Sequence, residues 1–583
     1  MKSLIIDTET RGLIPELGQT AFALGMADTE GDSPRVTIYD LRSRNDVELA
    51  LSRLRDAQQI IGHNIKFDMR QLVRTLDLPL DFFASKHIID TLVLSKHLIP
   101  HQVNNGGYGL KTLTKGLNAT LPAHTDPKKW LRKSNPLPRP KKGPDGKIAN
   151  QEEREEAKRC RTDFSLLPPE ILVPYLSSDI FRTWALYRQC ERLLGSSTPE
   201  AKENLCVEES LIPHILAIEA KGIPISAAQL DLVEEAMKVQ YAEVKRALPF
   251  DFLSRTALLE HFGDALKAGK FETPAGGVSA DRDALQFLAS RSVPWASEVI
   301  QARSYHKMLT TYIKSWRRFE SLGRLYPSYN IVGPRTGRMS SDSPNIQNIP
   351  KDLMRRVIVP EEGQWLVLAD FSQMELRAAA NMSKDQALLK ALEGDVHTET
   401  ARYLFSTQTP SIEDRKAAKT LNFAVLYGAR AKKIRRTLSM ETGRIWKLEE
   451  AQKVYERFWE LYPVFGAWSA SIQRFAQQRI SIPDPFGRRQ FPDIFRPYSL
   501  TNYLIQGFCA GIFKRALLRA MESGVDCRLL VHDEIGAMAQ PAQAVEVGRA
   551  LKSSMENVGG FRFPVELQVC KNNWFEKSPL EIQ

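Results

Sequence analysis

Short apolar runs alternate with helical patterns over residues 1 to about 190. The runs "SLIIDTE", "TAFALGMAD", "RVTIYDL" and "QIIGHNI" each have the length and the apolar content of a strand. A mostly helical pattern follows from about 206 to 320 and ends in "ARSYHKMLTTYIKSWRRF", and strands alternate with helices again from about 325 onward. The pattern therefore predicts an α/β multidomain chain in which two α/β units are joined by helices.

Two segments interrupt this pattern. The stretch "GSSTPE" at 195–200 is typical of a linker. The segment from about 126 to 161 contains several Pro and Gly, and its residues 128–161 hold twelve Lys and Arg against five acids. We expect this segment to be an exposed, partly mobile insertion. The sequence leaves two interpretations of this segment open, a contact with DNA and a merely solvated loop.

Composition limits the class of protein. At 583 residues the chain exceeds what one hydrophobic core supports, which predicts two to four domains. Its net charge of +11 favours a polyanionic partner such as nucleic acid. The six cysteines show no CxxC spacing, so we expect neither a disulfide framework nor a structural zinc, which fits a reducing cytoplasm. The N-terminus reaches an acid at residue 7, and no apolar run is long enough to predict a signal peptide or a membrane span.

Carboxylates lie at the ends of predicted elements in the first α/β unit. Asp7 and Glu9 are two residues apart at the end of the first strand, where a period of two sends both side chains to one face. Asp68 follows another strand, and Tyr175 and Asp179 share a face of a predicted helix because they are four residues apart. Four such carboxylates suit Mg²⁺ or Mn²⁺ rather than zinc. Two metal ions can activate water for phosphodiester hydrolysis, and a tyrosine hydroxyl beside them can orient that water.

The same strand-end pattern recurs in the second half of the chain. The apolar run "QWLVLAD" ends at Asp370, and "RLLVHDEIGAM" places Asp533 and Glu534 side by side within apolar sequence. Because an unpaired buried carboxylate is costly, this pair indicates either a turn at the surface or a cation held at a strand end.

A predicted helix lies between these two strand ends. "DRKAAKTLNFAVLYGA" spaces two cations and then two aromatic side chains at steps of four, which predicts one slowly winding stripe on a helix. Cations can hold a triphosphate, and an aromatic ring can stack on a base or a sugar. The members of this stripe are Arg415, Lys419, Phe423 and Tyr427.

Six ordered motifs resemble those of the family A DNA polymerases, the class of bacterial DNA polymerase I and related phage replicases. "DFSQMELR", "RKAAKTLNFAVLYG" and "VHDE" are similar to motifs A, B and C of that family. "TGRMSSDSPNIQNIP", "GDVHTETA" and "NYLIQG" are similar to further blocks in the expected order. The set DxE, NxxxD and YxxxD resembles the proofreading 3′–5′ exonucleases of the DEDD type in their Tyr variant. The resemblance covers essentially the whole chain.

The resemblance implies an RNase H-like exonuclease domain followed by a right-hand polymerase domain. We expect the exonuclease domain at 1–194, with the basic insertion at about 126–161, and the polymerase domain at 195–583. The implied parts of the polymerase domain are a thumb at about 206–325, a palm at about 326–394 and 503–583, and fingers at about 395–502.

The resemblance also implies a role for each matching position. Asp370 and Asp533 are expected to hold two Mg²⁺ ions, for which Mn²⁺ can substitute, and Glu534 is expected to be peripheral. The expected exonuclease residues are the metal ligands Asp7, Glu9, Asp68 and Asp179, with Tyr175 orienting the water. The expected contacts to the incoming nucleotide are Arg415, Lys419, His397, Phe423, Tyr427, Gln373 and Glu375, of which Glu375 resembles a steric gate against a ribose 2′-hydroxyl. The expected DNA contacts are Arg338, Asn345, Gln347, Asn502, Gln506 and His532, of which Asn345, Gln347 and Asn502 can instead be structural.

Two positions depart from the family pattern. Ala424 stands where Gly commonly follows "NF", so the resemblance implies an added methyl group near the nucleotide site, which would tighten the fit or alter base choice. Tyr498 stands where DNA polymerase I relatives carry Arg, which puts one DNA contact in doubt. The chain begins at the exonuclease motif and its region from about 206 to 300 is compact, so we expect neither a 5′-nuclease domain nor an insertion that recruits thioredoxin.

The expected function is template-directed addition of dNTPs to a primer 3′-hydroxyl by two-metal phosphoryl transfer, with 3′–5′ proofreading, in phage DNA replication. The expected partners are primer-template DNA and dNTPs, and we expect a monomer in the bacterial cytoplasm without a membrane partner. Two alternatives stand beside it. One is a single-subunit RNA polymerase, which Glu375 and the exonuclease set disfavour. The other is a nuclease or DNA-binding protein with a decayed polymerase half, which the complete set of palm and motif B residues disfavours.

Overall fold

The chain forms two compact units. The computed structural model describes residues 2–29, 31, 33–99, 107–117, 125–138, 150–268, 277–350, 353–442, 446–493 and 495–582. Unit 1 consists of Met1–Lys221, Ile331–Gly337 and Phe486–Arg489. Unit 2 consists of Gly222–Asn330, Arg338–Pro485 and Gln490–Gln583. The domain boundary expected between 194 and 195 stays a prediction.

Unit 1 is built on a mixed five-stranded sheet in the order β3-β2-β1-β4-β5. Its strands are β1 Ser3–Thr10, β2 Ala21–Asp28, β3 Arg35–Asp40, β4 Gln59–Gly62 and β5 His87–Asp90. Strand β1 pairs antiparallel with β2 and parallel with β4. The four strands predicted from the apolar runs are thereby confirmed as β1 to β4.

The described part of unit 1 also contains eight helices. They are α1 Arg44–Asp56, α2 Ile65–Thr75, α3 Thr91–Leu98, α4 Leu110–Leu113, α5 Pro127–Ser134, α6 Gln151–Cys160, α7 Pro169–Gly195 and α8 Pro199–Lys221. Helix α7 packs closely on β2 at Gly25, where a Cβ atom would lie 3.1 Å from Cγ of Leu176. This close approach holds α7, which carries Tyr175 and Asp179, against the sheet.

The linker predicted at 195–200 is shorter in the structure than in the sequence pattern. Gly195 is the last residue of α7 and Pro199 is the first residue of α8, so only residues 196–198 lie between the two helices. The backbone N–H groups of Ser196 and Ser197 donate to carbonyls of the last turn of α7, which makes this connection a tight turn.

The described parts of the basic insertion are helices α5 and α6 rather than an exposed loop. Asp126 caps α5 by accepting hydrogen bonds from the backbone N–H groups of Lys128 and Lys129. Leu131 is fully buried in a cluster that includes Phe22 and Leu172. The prediction of an exposed, mobile segment is therefore wrong for α5, which is anchored in the core of unit 1. Residues 139–149, where we expected mobility, lie outside the described residues.

Unit 2 is built on an antiparallel five-stranded sheet. The strands that lie wholly or partly in unit 2 are β6 Ile223–Pro224, β7 Arg324–Leu325, β8 Ser328–Asn330, β9 Ser340–Asp342, β10 Trp365–Phe371, β11 Ile482–Pro483, β12 Arg489–Gln490, β13 Cys527–Val531, β14 Glu534–Ala539, β15 Asn557–Val558, β16 Phe561–Arg562, β17 Val565–Cys570 and β18 Ser578–Pro579. The order in the main sheet is β13-β14-β10-β17-β18. The predicted strands that lead to Asp370 and Asp533 are confirmed as β10 and β13.

The helices of unit 2 form two groups beside this sheet and a layer on it. They are α9 Ala227–Ala247, α10 Arg255–Ala268, α11 Arg282–Ala289, α12 Ala296–Lys307, α13 Lys314–Arg317, α14 Met374–Ser383, α15 Gln386–Ala391, α16 Val396–Phe405, α17 Ile412–Leu426, α18 Ala431–Thr442, α19 Leu448–Leu461, α20 Pro463–Gln477, α21 Leu500–Glu522 and α22 Ala544–Glu556. Helices α9 to α12 share one apolar cluster, and α16 to α19 pack on one another. Helix α22 packs on β10, β14 and β17, and α21 packs on α22 and α14. The mostly helical pattern expected from about 206 to 320 is confirmed.

A buried ion pair fastens a late segment of the chain into unit 1. Nη2 of Arg488 donates to both carboxylate oxygens of Glu208, at 2.5 and 2.6 Å. The two side chains are only 4% and 1% exposed. Nearby, Nζ of Lys96 donates to the carbonyl oxygens of Val332 and Gly333.

We expect Arg488→Met to lower the free energy of unfolding of unit 1 by about 3 kcal/mol, because it leaves the Glu208 carboxylate buried without its guanidinium partner. Urea denaturation measures this change. The double variant Arg488→Met with Glu208→Gln should recover part of the loss, since it removes the buried charge as well. If the single variant is as stable as the unaltered chain, the ion pair does not contribute to the stability of unit 1 as we expect.

Candidate active sites

Strands β13 and β14 form a hairpin whose two loop residues are His532 and Asp533. His532 has a φ of 57°, a left-handed conformation that tight hairpin turns commonly require. The turn brings Asp533 to the end of β10, where the backbone N–H of Phe371 donates to its carbonyl oxygen at 3.4 Å. The two strand-end aspartates, Asp370 and Asp533, therefore meet at one edge of the sheet.

Three further carboxylates surround Asp370. Glu534 and Glu566 are its direct neighbours on β14 and β17, and Asp533 follows in the hairpin. Burial, together with repulsion from Asp533 and Glu534, raises the pKa of Asp370 to about 7. Burial also raises the pKa of Asp533. Oδ1 of Asp370 is buried without a hydrogen-bond partner in the described structure. So many hard oxygen donors, one of them unpartnered, fit a divalent cation.

Glu534 has a counter-charge of its own. The indole N–H of Trp574 donates to its Oε1 at 3.1 Å, and Nζ of Lys577 donates to its Oε2 at 2.6 Å. The turn expected for this pair is present, and the cation expected at the strand end stays a prediction. Asp533 lies in a turn and borders a cavity, whereas Glu534 is neutralised by a lysine.

A cavity of about 620 Å³ opens in front of the two aspartates. Arg415, Lys419, Phe423 and Tyr427 all border it, which agrees with the stripe predicted from their spacing. The seven other predicted residues that line the cavity are Arg338, Asp370, Gln373, Glu375, His397, His532 and Asp533. Four predicted DNA contacts are not among its described lining residues, namely Asn345, Gln347, Asn502 and Gln506.

A capping box positions the helix that carries the stripe. The hydroxyl of Ser411 accepts from the backbone N–H of Asp414, and the carboxylate of Asp414 accepts from the backbone N–H of Ser411. Helix α17 therefore begins one turn before Arg415. It ends at Leu426, so Tyr427 caps its C-terminus through a hydrogen bond from its N–H to the carbonyl of Phe423 at 3.1 Å.

Asp395 holds the first cation of the stripe, although sequence reasoning did not single it out. Nε of Arg415 donates to Oδ2 of Asp395 at 2.6 Å. Burial opposes ionisation of Asp395, but the hydrogen bonds from Arg415 and Thr398 lower its pKa to about 2. Arg415 is therefore already bound to a carboxylate, which a ligand anion would have to replace.

His397 is a neutral hydrogen-bond donor at this site. Burial lowers its pKa to about 4, with a smaller effect of the same sign from Lys419 and Arg415. The side-chain amide nitrogen of Asn422 lies 3.0 Å from its Nδ1, within hydrogen-bond distance. His397 can therefore donate one hydrogen bond into the cavity without adding a charge.

Glu375 is held by two residues that approach it from outside its own helix. Arg338 forms an ion pair with its Oε1. The hydroxyl of Tyr427 lies 3.2 and 3.0 Å from its two carboxylate oxygens. The Glu375 side chain is 11% exposed. These contacts fix the predicted gate residue in the cavity wall.

Two of the predicted DNA contacts take part in a loop. Oδ1 of Asn345 accepts from the backbone N–H of Asn348 at 3.1 Å. The backbone N–H of Gln347 donates to the hydroxyl of Ser341 at 3.2 Å. Asn502 is buried on α21, and its Nδ2 has no hydrogen-bond partner in the described structure. Asn345 therefore has the structural role that we left open, and the DNA contacts stay predictions.

The two departures from the family pattern lie at the end of α17. The carbonyl of Ala424 accepts from the N–H of Ala429 at 2.8 Å, which closes the helix. Gly428 follows with a φ of 73°, and a Cβ atom there would lie 2.8 Å from Cδ2 of Tyr498. Tyr498 therefore packs against the C-terminus of α17, and its ring is partly exposed.

Helix α21 contributes cavity residues that sequence reasoning missed. Cys509, Ala510 and Phe513 line the cavity. Cys509 and Phe513 follow Asn502 and Gln506 at helical spacing, so the face of this helix could have been extended from the two polar residues. Glu566 also lines the cavity, but only the pairing of β10 with β17 brings it there.

A second carboxylate cluster lies in unit 1. Carboxylate oxygens of Asp7, Glu9 and Asp179 all lie within 4.8 Å of one another. Oδ1 of Asp68 accepts from the backbone N–H of Thr8 at 2.8 Å and from its hydroxyl at 2.6 Å. Burial, followed by repulsion from Asp179 and Asp68, raises the pKa of Glu9 to about 8. The same causes raise the pKa of Asp7. The structure thus brings the four predicted carboxylates together, and the donor set fits a divalent cation.

Tyr175 and Lys111 complete this cluster. Burial and the nearby Asp179 raise the pKa of Tyr175, so its hydroxyl stays protonated. Nζ of Lys111 lies 4.4 Å from the centroid of the Tyr175 ring. Lys111 also lowers the pKa of Glu9, against the effect of burial. Sequence reasoning missed Lys111 because no spacing rule connects it with the carboxylates.

Comparisons with known proteins identify the family of this chain. Residues 226–576 match the model of DNA polymerase family A. DNA polymerase I of Aquifex aeolicus is 29% identical, over 98% of this chain and 95% of its own length. The thermostable DNA polymerase I of Thermus aquaticus is 33% identical over 62% of this chain, which spans about half (47%) of that relative.

A solved structure shares the fold. The POL domain of Pol1 from M. smegmatis, in complex with DNA primer-template and dNTP, has a TM-score of 0.72 at 19% identity. The alignment covers 98% of this chain and 95% of that one. The chain therefore belongs to DNA polymerase family A, and it is a DNA polymerase of the DNA polymerase I type. No helix in the described ranges is long and apolar enough to cross a membrane.

Proposed function

We propose that this chain extends a primer 3′-hydroxyl with dNTPs in the cavity of unit 2 and removes mismatched 3′ ends at the carboxylate cluster of unit 1. One observation carries the polymerase proposal. The cavity brings the strand-end carboxylates Asp370 and Asp533 together with the cations Arg415 and Lys419. The charge of a nucleoside triphosphate must be neutralised by cations: Arg415 and Lys419 would supply some of them, and divalent ions held by the two carboxylates would supply the others.

Asp370 and Asp533 would hold Mg²⁺, for which Mn²⁺ can substitute. The buried and unpartnered Oδ1 of Asp370 supports this assignment. Bound there, the metal would lower the pKa of the primer hydroxyl and neutralise charge on the transferring phosphoryl group.

The incoming triphosphate would replace Asp395 at the guanidinium of Arg415 and bind Lys419 beside it. His397 would donate its Nε2 proton to a phosphate oxygen. Because Arg415 exchanges one anion for another, its charge is compensated both before and after a nucleotide arrives.

The sugar and the base of the nucleotide would contact the two aromatic residues of the stripe. Phe423 would pack on the sugar, and Tyr427 would lie near the templating base. Glu375 would stand below the deoxyribose, where its contacts with Arg338 and Tyr427 hold it rigidly. A 2′-hydroxyl would then clash with the carboxylate or displace it from two partners.

We expect Glu375→Ala to raise the use of ribonucleotides relative to deoxynucleotides. A penalty of roughly 3 kcal/mol at the gate corresponds to a change in the ratio of kcat/KM values on the order of a hundredfold. Single-nucleotide kinetics with matched dNTP and rNTP pairs measure this ratio. Tyr427→Phe is the matched control, because it removes one hydrogen bond to Glu375 but leaves the gate in place. If Glu375→Ala lowers both rates equally and leaves the ratio unchanged, the gate assignment fails.

The proofreading proposal is supported by the fold and the cluster of unit 1. A mixed sheet in the order 3-2-1-4-5 is the arrangement expected of an RNase H-like domain. Asp7, Glu9, Asp68 and Asp179 would hold divalent cations, which would activate water for phosphodiester hydrolysis. The protonated hydroxyl of Tyr175 would orient that water. The phage origin, the monomeric state and the cytoplasmic location stay predictions.

A further inference from the structure

Helix α5 exposes four cations on one face. Lys128, Lys129, Arg132 and Lys133 are all exposed, and in the described structure none of them has an ion-pair partner. They form two like-charge pairs at a spacing of four residues, Lys128 with Arg132 and Lys129 with Lys133, which destabilise an isolated helix. The opposite face of α5 is fixed by the buried Leu131. The core of unit 1 therefore holds in place a helix whose charges repel one another.

Of the two described helices of the insertion, only α5 has this surplus of charge. In α6, the other described helix of the insertion, Lys158 pairs with Glu155 at 2.7 Å and Arg159 pairs with Glu156 at 2.8 Å. Two of the three cations of α6 are therefore compensated within their own helix, and the third, Arg154, donates to the carbonyl of Pro138. The charge pattern of α6 is that of an ordinary solvated helix face, on which acids and cations alternate. The face of α5 carries cations alone, so solvation does not explain its charge pattern.

Helix α5 lies close to the carboxylate cluster of unit 1. It packs on α7, which carries Tyr175 and Asp179, and on the 3₁₀ turn Phe164–Leu166. The Phe164 ring meets the Tyr175 ring edge-on, with centroids 5.9 Å apart. Phe164 also packs on the same apolar cluster as Leu131. The basic face therefore belongs to a helix that is one side-chain layer away from the tyrosine of the cluster.

We propose that the four cations of α5 bind phosphates of the single DNA strand whose 3′ end is degraded at the carboxylate cluster. The inference rests on the proposed exonuclease function and specifies its substrate as a strand several nucleotides long. The cluster itself repels a polyanion, because it concentrates four carboxylates. A cationic helix beside it offsets that repulsion and supplies binding energy away from the reacting bond.

The test uses the full chain and a matched pair of double variants. Lys129→Ala with Lys133→Ala removes two uncompensated charges from α5, and Lys158→Ala with Arg159→Ala removes two compensated charges from α6. Alanine favours helix, so both helices should persist. The measurements are kcat and KM for 3′–5′ degradation of a single-stranded DNA decamer and of a dinucleotide, which has only one internucleotide phosphate.

For the decamer we expect the α5 variant to raise KM by about three- to tenfold at unchanged kcat, since phosphate contacts add uniform binding. For the α5 variant, the slope of log KM against log salt concentration should fall by about 0.7 for each phosphate contact that is lost. The dinucleotide should be degraded as before, and the α6 variant should resemble the unaltered chain. An unchanged KM for the decamer overturns the proposal. Equal losses on both substrates, or an equal effect of the α6 variant, also overturn it.

A second measurement separates this inference from the exonuclease proposal. If the unaltered chain degrades neither substrate, the exonuclease proposal fails, and binding still tests α5. Fluorescence anisotropy of a labelled decamer, without divalent metal, then compares the two double variants. Weaker binding by the α5 variant alone supports the basic face as a DNA-binding surface, and equal binding by both variants overturns it.

Discussion

Asp370→Asn and Asp533→Asn should each abolish primer extension while 3′–5′ degradation of single-stranded DNA continues. Each change removes a charged oxygen from the site that fits a divalent cation. The loss of several kcal/mol of transition-state stabilisation, about 4 to 6, corresponds to a decrease in rate of roughly a thousandfold or more. Single-turnover incorporation of one dNTP measures the effect on chemistry.

The matched control for these variants is Glu534→Gln. Glu534 is adjacent to Asp533 in sequence, but Lys577 and Trp574 hold its carboxylate. We expect this variant to lose far less activity, within about tenfold, because it alters the field around Asp370 without removing a ligand. Extension by Asp370→Asn or Asp533→Asn at the rate of the unaltered chain would contradict the assignment of the palm site.

The stability of the same variants gives an independent check. Repulsion and burial raise the pKa of Asp370, so its charge destabilises the fold when no cation is present. Asp370→Asn should therefore unfold, in the absence of metal, at the same temperature as the unaltered chain or above it. Loss of activity without loss of stability is the pattern of a functional carboxylate rather than of a structural one.

The second large effect concerns the other cluster. Asp7→Ala with Glu9→Ala should eliminate 3′–5′ degradation while primer extension continues, because two of the carboxylates that fit a divalent cation are lost from unit 1 alone. Primers that end in a mismatch should then keep their mismatched nucleotide. The measurement is the length of a labelled mismatched primer over time, with and without dNTPs.

Asp28→Ala is the matched control for this double variant. Asp28 also stands at the end of a strand of the same sheet, but it is exposed and pairs with Arg53 at 2.8 Å. It should leave degradation unchanged. If the double variant still trims mismatched ends at the normal rate, the cluster in unit 1 is not the exonuclease site.

The two clusters illustrate the same electrostatic principle. In each, several carboxylates converge where burial and mutual repulsion raise their pKa values. The chain provides only partial compensation, through Lys111 in unit 1 and Lys577 in unit 2. Such an arrangement costs stability by itself and is typical of sites that bind cations for catalysis.

Local sequence was sufficient for the parts of this protein that depend on the period of one element. A period of two placed Asp7 and Glu9 on one face of β1, and steps of four placed Arg415, Lys419, Phe423 and Tyr427 along one cavity wall. The strand-end positions of Asp370 and Asp533 followed from the apolar runs before them. Ordered motifs then identified the family, because their spacing is constrained by the site that they form together.

Only the tertiary structure decided which side chains pair with the buried carboxylates and which contacts anchor the helices. Lys577 reaches Glu534 across 43 residues, and Arg488 reaches Glu208 across 280. The anchoring of α5 depends on Leu131 meeting Phe22 of a distant strand, so a segment that resembles a solvated loop in sequence becomes a helix with a fixed basic face. Periodicity describes the faces of single elements, whereas these contacts arise from packing between elements, which no local pattern records.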